Sequence, residues 1–453
     1  MSHPSTTSAP DIRIDLSRQM NGPMKRLHGV NNGPIGYGSL IDVSHHYEDM
    51  GVPFVRLHDP NWPHPREVDM YAVFPDPGAD PDDPRNYDFA RTDDYVKSVL
   101  DTGARIVYRL GVSIEHTKVK TYTHPPADYD RWARVCVRII DHYNDGWADG
   151  YRYGIEYWEV WNEPDVPNEL MWSGTSEQYF ELYRVAATNI RTAHPGVKVG
   201  GPGSARAGEE LAGRFIEFCA GERLPLDFFS WHIYTDRVSK VTDLAVLVRE
   251  LLDAHGFSST ESHLNEWNYL TGDFWTIWKK GHEQERSLVF GRQKGPEGAA
   301  FAAGTLLALQ DSPVDVANYY DGQPSALFCG LFDPYGVPQK TFYAFKALRA
   351  LCDAGPRVEA TVGPDADGLF VGAAGREDGE GVVLISNVSG TSREYRLRFD
   401  GLAAGKGYWC DTYCVDAEHE LGQVGATRIE PATPTLDLTI GANSVLLLRL
   451  HRS

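Results

Sequence analysis

The sequence predicts an α/β protein, a (β/α)8 TIM barrel with a C-terminal β-sandwich domain. Three observations predict it. Short apolar runs alternate with helical periodicity from about residue 27 to 350. After about residue 352 that periodicity gives way to short alternating runs set off by Gly, Asp and Pro. The chain has 453 residues, too many for one ordinary core and enough for a barrel of ~250 residues or more plus a second domain.

The elements follow in order. Residues 1–10 are polar and Ser/Thr-rich and read as a flexible tail. Residues 11–16 alternate apolar and polar, so a strand over 11–18 is expected to join the distant sandwich. Eight candidate barrel strands lie at 27–30, 53–58, 104–110, 155–161, 197–201, 227–232, 262–267 and 315–320. Between them are amphipathic helices. One puts Trp132, Val135, Ile139, Tyr143 and Trp147 on one face with Arg131, Arg134, Arg138 and Asp141 opposite. Two more carry Tyr179, Leu182, Ala186 and Ile190, and Val241, Leu244, Leu247, Val248 and Leu251. Alternating βα units imply a parallel sheet, and eight of them fit a closed barrel better than an open sheet. The catalytic barrel is expected over 20–351 and the sandwich over 352–453, with alternation clearest at 394–399. The Asp/Pro-rich stretch 75–84 reads as a long loop after the second strand, on the face where barrels keep their active sites, able to close or to shape a pocket there.

The composition excludes several functions. Lys plus Arg is 43 and Asp plus Glu is 63, a net charge of −20, which repels nucleic-acid backbones and anionic membranes. No run of 18 apolar residues exists, so no membrane span is expected. Residues 1–10 lack the apolar core of a secretory signal, and a cytoplasmic location is the expectation. Six cysteines are spread along the chain. Cys410 and Cys414, four apart, do not match a Cys-x-x-Cys pair and are expected as thiols on one face of a strand. No metal and no cofactor is expected. His45-His46, His58 and His64 are too scattered, adjacent histidines are expected to point apart, and no His-Glu-x-x-His occurs. Gly200-Gly201-Pro202-Gly203-Ser204 lacks the Lys of a phosphate loop and is placed at the end of the fifth strand, where Gly permits close approach. No Gly-x-Ser-x-Gly elbow is present.

Two segments carry chemistry. Tyr157-Trp158-Glu159-Val160-Trp161-Asn162-Glu163-Pro164 is a strand ending in Asn-Glu, with a Pro that cannot continue inside a sheet. His263-Leu264-Asn265-Glu266-Trp267-Asn268 again ends a strand in Asn-Glu. These are the fourth and seventh strands, and a closed barrel brings Glu163 and Glu266 to one rim. Two carboxyls on one cleft suggest glycoside hydrolysis, retaining if they stand ~5 to 5.5 Å apart. Glu266 is read as nucleophile and Glu163 as acid/base, its pKa raised by the like charge of Glu266. Glu159 is a decoy. At ~3.3 Å per residue it sits ~13 Å below Glu163, paired inside the barrel with Arg56 or Arg109. Trp275 and Trp278 form either a sugar platform or one helical face.

Here the sequence resembles a known group. Trp161-Asn162-Glu163-Pro164 is similar to the fourth-strand signature of clan A glycoside hydrolases. The layout resembles family 39, which includes β-xylosidases and α-L-iduronidases, through Arg56-Leu57-His58, Trp231-His232-Ile233-Tyr234 and Asn265-Glu266-Trp267. The resemblance implies that Asn162 binds the sugar 2-hydroxyl and that Tyr234 holds the rotamer of Glu266. It implies that Arg56 keeps Glu266 ionised, that His58 contacts sugar hydroxyls and that His232 lines the pocket. Asp321 would bind a distal hydroxyl where the family often has a longer carboxylate. The function this implies is a retaining exo-glycosidase on small oligosaccharides, β-D-xylosidase foremost. The alternatives are an α-L-arabinofuranosidase, a disaccharide-releasing or endo-acting hydrolase with the same glutamates, and a sugar-binding barrel without catalysis. Carbohydrate is the expected partner. A homo-oligomer is compatible with a sandwich that packs between subunits.

Overall fold

The computed structural model describes residues 11–60, 67–324, 327–364, 366–376, 379–403, 405 and 407–452. The tail 1–10 and His64 lie outside these. Strand β1 (Asp11–Gln19) opens the chain, followed by β2 (Gly29–Asn31), a tiny hairpin of β3 (Ile35–Gly36) and β4 (Ile41–Asp42), and β5 (Phe54–Leu57). Then come β6 (Arg105–Leu110), β7 (Tyr157–Val160), β8 (Lys198–Ser204), β9 (Phe228–Thr235), β10 (Glu261–Tyr269) and β11 (Val316–Tyr319). Strands β2 and β5 to β11 pair in parallel and close into a barrel, with β11 beside β2. All eight apolar runs of the sequence are barrel strands. Helices cover the outside, among them Tyr129–Asn144, Ser176–Ala193 and Val238–Ala254. The helix Ser176–Ala193 begins at a capping box, in which Thr175 and Gln178 satisfy each other's backbone N–H.

The barrel interior is filled in layers by inward residues two apart. Phe54, Val107, Tyr157 and Phe228 plug the floor, and His263 stacks on Phe228. One layer up the same strands present Arg56, Glu159, Ser230 and Asn265, all buried. The floor is apolar and the next layer charged, so functional chemistry sits toward the carboxyl rim. Gly29 permits closure, because a Cβ there would lie 2.7 Å from Ala317 O.

Strands β12 (Arg357–Val362), β13 (Leu369–Gly375), β14 (Gly381–Asn387), β15 (Arg393–Asp400), β16 (Tyr408–Val415), β17 (Glu420–Ile429), β18 (Thr435–Ile440) and β19 (Ser444–Arg452) form the sandwich. β1 lies in its sheet, antiparallel to β12 and parallel to β15. The sheet order is β17-β16-β19-β14-β13-β12-β1-β15-β18. Ile12, Ile14, Leu397 and Phe399 from one end share a core with Ile385, Cys410, Leu446 and Leu448 from the other, so the sheet folds over on itself. The helix Pro296–Ala308 of the barrel packs on it, and Ser386 Oγ donates to Ala300 O at 2.6 Å. All six cysteines are free thiols. Among the described residues, no helix is long and apolar enough to cross a membrane.

Three local expectations change. Trp147 lies beyond the helix Tyr129–Asn144, in a turn started by Gly146 at φ 81°. The loop 75–84 lies along that helix rather than over the barrel mouth. Arg131 donates to Gly78 O at 2.6 Å, and Arg134 and Arg138 pair with Asp82, so the charged face of the helix holds the loop to the flank. The rings of His45 and His46 do not point apart. Their centroids are 3.9 Å apart, because His46 packs on Phe332 and His45 lies over it.

Candidate active site

Two interruptions of regular strand geometry build the rim. β10 shifts register against β9 between Leu264 and Glu266. In an unbroken strand Asn265 and Glu266 would point to opposite faces. The bulge lets both reach inward: Asn265 donates to Glu159 Oε1 at 2.7 Å, and Glu266 accepts from Tyr234 and Arg56. β8 has a second shift between Pro202 and Ser204. Gly203 sits there at φ 61°, where an added Cβ would lie 3.1 Å from Asn162 Oδ1 and 3.2 Å from Glu159 Oε1. The glycine-rich run is thus a place of close approach, not a phosphate cradle.

β7 stops at Val160, before the proline. Trp161 turns at φ 71° and Glu163 at φ 44°, and the Glu163 N–H donates to Gly203 O at 2.9 Å. The unbroken-strand distance between Glu159 and Glu163 therefore does not apply. Two side chains bridge them: Asn265, which also faces His232 Nε2 at 3.1 Å, and His232, whose Nδ1 lies 2.8 Å from Glu163 Oε1.

Arg56 organises the layer below. Its Nε donates to Glu159 Oε2 at 2.7 Å and its Nη1 to Glu266 Oε2 at 3.1 Å and Asn31 Oδ1 at 3.2 Å. Its Nη2 donates to Asn162 Oδ1. It serves both glutamates between which the sequence left it undecided. Arg109 instead binds Asp69 at 2.8 Å and donates to His58 Nδ1 at 3.2 Å. Glu159 also accepts from Ser230 Oγ at 2.6 Å. We predict that Glu159→Leu lowers the free energy of unfolding by about 3–5 kcal/mol, because it leaves the buried guanidinium short of a partner. Chemical denaturation of wild type and variant measures this, and a loss below about 1 kcal/mol would contradict the predicted role.

Glu163 and Glu266 meet as the barrel requires. One oxygen of each and a ring nitrogen of His232 all lie within 4.8 Å of one another. Their side chains keep 13% and 8% of their surface open. Burial raises the Glu163 pKa to about 8, Asp165 adds to the rise and Arg56 opposes it. The sequence assigned that rise to Glu266; burial and Asp165 lead instead. Burial also raises Glu266, and His232, Arg56 and the Tyr234 hydroxyl, which donates to Oε1 at 2.7 Å, pull it back. A metal would have to displace these bonds: both oxygens of Glu266 are engaged, and His232 Nδ1 is engaged with Glu163.

The remaining candidates fall as follows. Asn162 Nδ2 is buried with no partner among the described residues, so one donor is left over at the rim. His58 is buried, and burial, Arg56 and Arg109 push its pKa well below the usual range. With Nδ1 accepting from Arg109, its hydrogen lies on Nε2, 3.5 Å from Asp59 Oδ2. Asp321 follows β11 and is fully buried. Burial pushes its pKa well above the usual range, against the pull of Lys294 and of the Asn32 and Gln323 side chains that face it. Trp275 lies in a helical turn at Phe274–Ile277, and Trp278 ends it. Trp278 packs on Phe274, Phe290 and Phe328, a cluster that backs Tyr234. Sequence reasoning missed Asp165, which accepts from Ser204 Oγ at 2.6 Å and from the Ala205 and Arg206 N–H groups. Its position two residues after Glu163 was the available signal. It also gave no role to Asn31 or to Asn265.

The family model described as glycosyl hydrolases family 39 matches residues 42–257. That match, together with the β-xylosidase relatives below, supports glycoside hydrolase family 39. The chain is 28% identical over 260 residues to a β-xylosidase of Geobacillus stearothermophilus, covering 51% of this chain and 48% of that one. It is 26% identical over 343 residues to a β-xylosidase of Caldicellulosiruptor saccharolyticus, covering 69% and 64%. The matched stretches thus span about half to under two thirds of those relatives' lengths. Among solved structures, a glucosidase from Croceicoccus marinus superposes with a TM-score of 0.81 at 25% identity, covering 98% of this chain and all of that one.

Proposed function

We propose that the chain is a retaining exo-glycosidase acting on β-D-xylosides, with Glu266 as nucleophile and Glu163 as acid/base. The observation that carries the mechanism is the approach of the two carboxylates. Oxygens within 4.8 Å suit direct attack, whereas an inverting pair needs roughly 6.5–9.5 Å to admit a water. The Glu266 carboxylate attacks the anomeric carbon while the bond to the leaving oxygen breaks. Glu163 gives that oxygen its proton. Water then attacks the same carbon, Glu163 takes the water's proton, and the ester to Glu266 opens with retention. Asn162 Nδ2 is the donor for the 2-hydroxyl, and such a bond strengthens as charge grows on the ring. Tyr234 and Arg56 hold Glu266 by one oxygen each. His232 lines the pocket behind Glu163, and His58 Nε2–H and Asp321 are assigned to more distant hydroxyls.

The sugar follows from the two β-xylosidase relatives. The likeness to a glucosidase over nearly the whole chain favours a second reading, a β-glucoside. A panel of 4-nitrophenyl glycosides separates them: β-xyloside, β-glucoside, β-galactoside, α-L-arabinofuranoside and an iduronide. The β-xyloside is expected to have the highest kcat/KM. A ten-fold preference for the glucoside would move the substrate to the second reading. Silence across the panel, with release of disaccharides from longer chains, would overturn exo action.

A further inference from the structure

The hydrogen bonds behind Glu163 have a direction, set by a carboxylate at the far end of the chain of side chains. Glu159 is fully buried and accepts from Arg56, Ser230 and Asn265. Burial alone would raise its pKa, but Arg56 and these donors bring it below the usual value. An ionised carboxylate only accepts, so the amide atom of Asn265 that faces it is the NH2. This puts Asn265 Oδ1 on the other side, 3.1 Å from His232 Nε2. An amide oxygen also only accepts, so Nε2 carries a hydrogen. His232 is buried, which lowers its pKa and leaves it neutral near pH 7, with Nδ1 as a lone pair. That lone pair lies 2.8 Å from Glu163 Oε1, and the hydrogen between them belongs to Glu163.

We propose that Asn265 and Glu159 are positioning residues that hold His232 as its Nε2–H tautomer, so that the Nδ1 lone pair keeps Glu163 protonated between turnovers. This rests on the reading of Glu163 as acid/base. A Glu163 carboxylate would face the lone pair at hydrogen-bond distance, so losing its proton is disfavoured. After the leaving group departs, the same contact favours Glu163 taking a proton from water. If Asn265 cannot accept, the imidazole can place its hydrogen on Nδ1 and donate it to a Glu163 carboxylate, which makes Glu163 a stronger acid. The other charged groups facing this pair are Arg56, Glu159, Asp165 and Glu266, and neutral His58 also faces His232. None of them is replaced in an Asn265 variant, and Glu159, which loses one donor in Asn265→Ala, keeps Arg56 and Ser230.

The test is the tautomer itself, read by long-range 1H–15N NMR on protein labelled at the histidine ring nitrogens, with His232 assigned by its loss in His232→Asn. Wild type is expected to show hydrogen on Nε2 and none on Nδ1 near neutral pH. Hydrogen on Nδ1 in wild type, alone or as imidazolium, would overturn the proposal. In Asn265→Ala the alkaline limb of kcat/KM is expected to move about one pH unit or more toward acid. Asn265→Asp keeps an oxygen toward Nε2, and its limb is expected at or above the wild-type position. A folded Asn265→Ala with an unmoved limb would also overturn the proposal. The NMR measurement needs no turnover, so it holds or fails independently of the glycosidase reading, including where Asn265→Ala does not fold.

Discussion

Glu266→Gln is expected to lower kcat by about 10^4-fold or more on every substrate that the wild type turns over. The amide cannot form the ester to the anomeric carbon, and among the described residues no other carboxylate is placed to replace it. Glu163, the nearest, is protonated at neutral pH because burial and Asp165 raise its pKa to about 8. Glu159 is fully buried and bound to Arg56, Ser230 and Asn265. The change is nearly isosteric: the amide oxygen accepts from Arg56 while the NH2 donates to the Tyr234 hydroxyl oxygen, so stability should change little. Steady-state rates on the preferred nitrophenyl glycoside, with a thermal melt as control, check this. A loss below 100-fold would remove Glu266 from the nucleophile role.

Glu163→Ala is expected to divide substrates by leaving group. Glycosides with poor leaving groups need the proton and should lose about 10^2- to 10^4-fold in kcat/KM. Activated aryl glycosides should keep most of theirs, with a burst of phenol before a slow steady state, because only water activation is lost. The pH profile should change as well. Under the proposed mechanism, activity needs Glu163 protonated and Glu266 ionised. Raising the pH through about 8 removes the Glu163 proton, so wild-type kcat/KM on a poor leaving group should fall there. Lowering the pH protonates Glu266, and the acid limb should lie above the ordinary carboxylate range, since burial raises that group. In Glu163→Ala the alkaline limb should vanish and the acid limb remain. An alkaline limb that survives unchanged would assign it to another group.

Much of this was legible in the sequence, for physical reasons. Barrel strands buried on both faces read as continuous apolar runs, and all eight were visible as such. Glu163 and Glu266 stood out because each ends such a run beside an Asn. What stayed hidden depends on departures from ideal geometry. Alternation along a strand puts Asn265 and Glu266 on opposite faces, and only the bulge in β10 brings both inward. The positive φ at Trp161 and Glu163 ends the extended run early, so strand spacing does not set the gap from Glu159. The loop 75–84 looked like a lid because nothing local shows that Arg131, Arg134 and Arg138, from a later helix, hold it to the flank. Asp165 was hidden for a similar reason: its partners at 204–206 are about forty residues away in sequence and meet it only in the closed barrel.

If Glu266 becomes covalently attached to the sugar while Glu163 handles the proton, the attachment can be trapped. The most direct measurement is peptide mass spectrometry after inactivation with a 2-deoxy-2-fluoro glycoside of the sugar turned over in the panel, carried on a dinitrophenyl leaving group. The fluorine slows both steps and the activated leaving group restores the first, so the glycosyl-enzyme accumulates. The predicted result is one fluorosugar per chain, on the peptide that contains Glu266. A fluorosugar on Glu163 or any other carboxylate would contradict the assignment. Turnover with no adduct and with inversion at the anomeric carbon would contradict the mechanism itself.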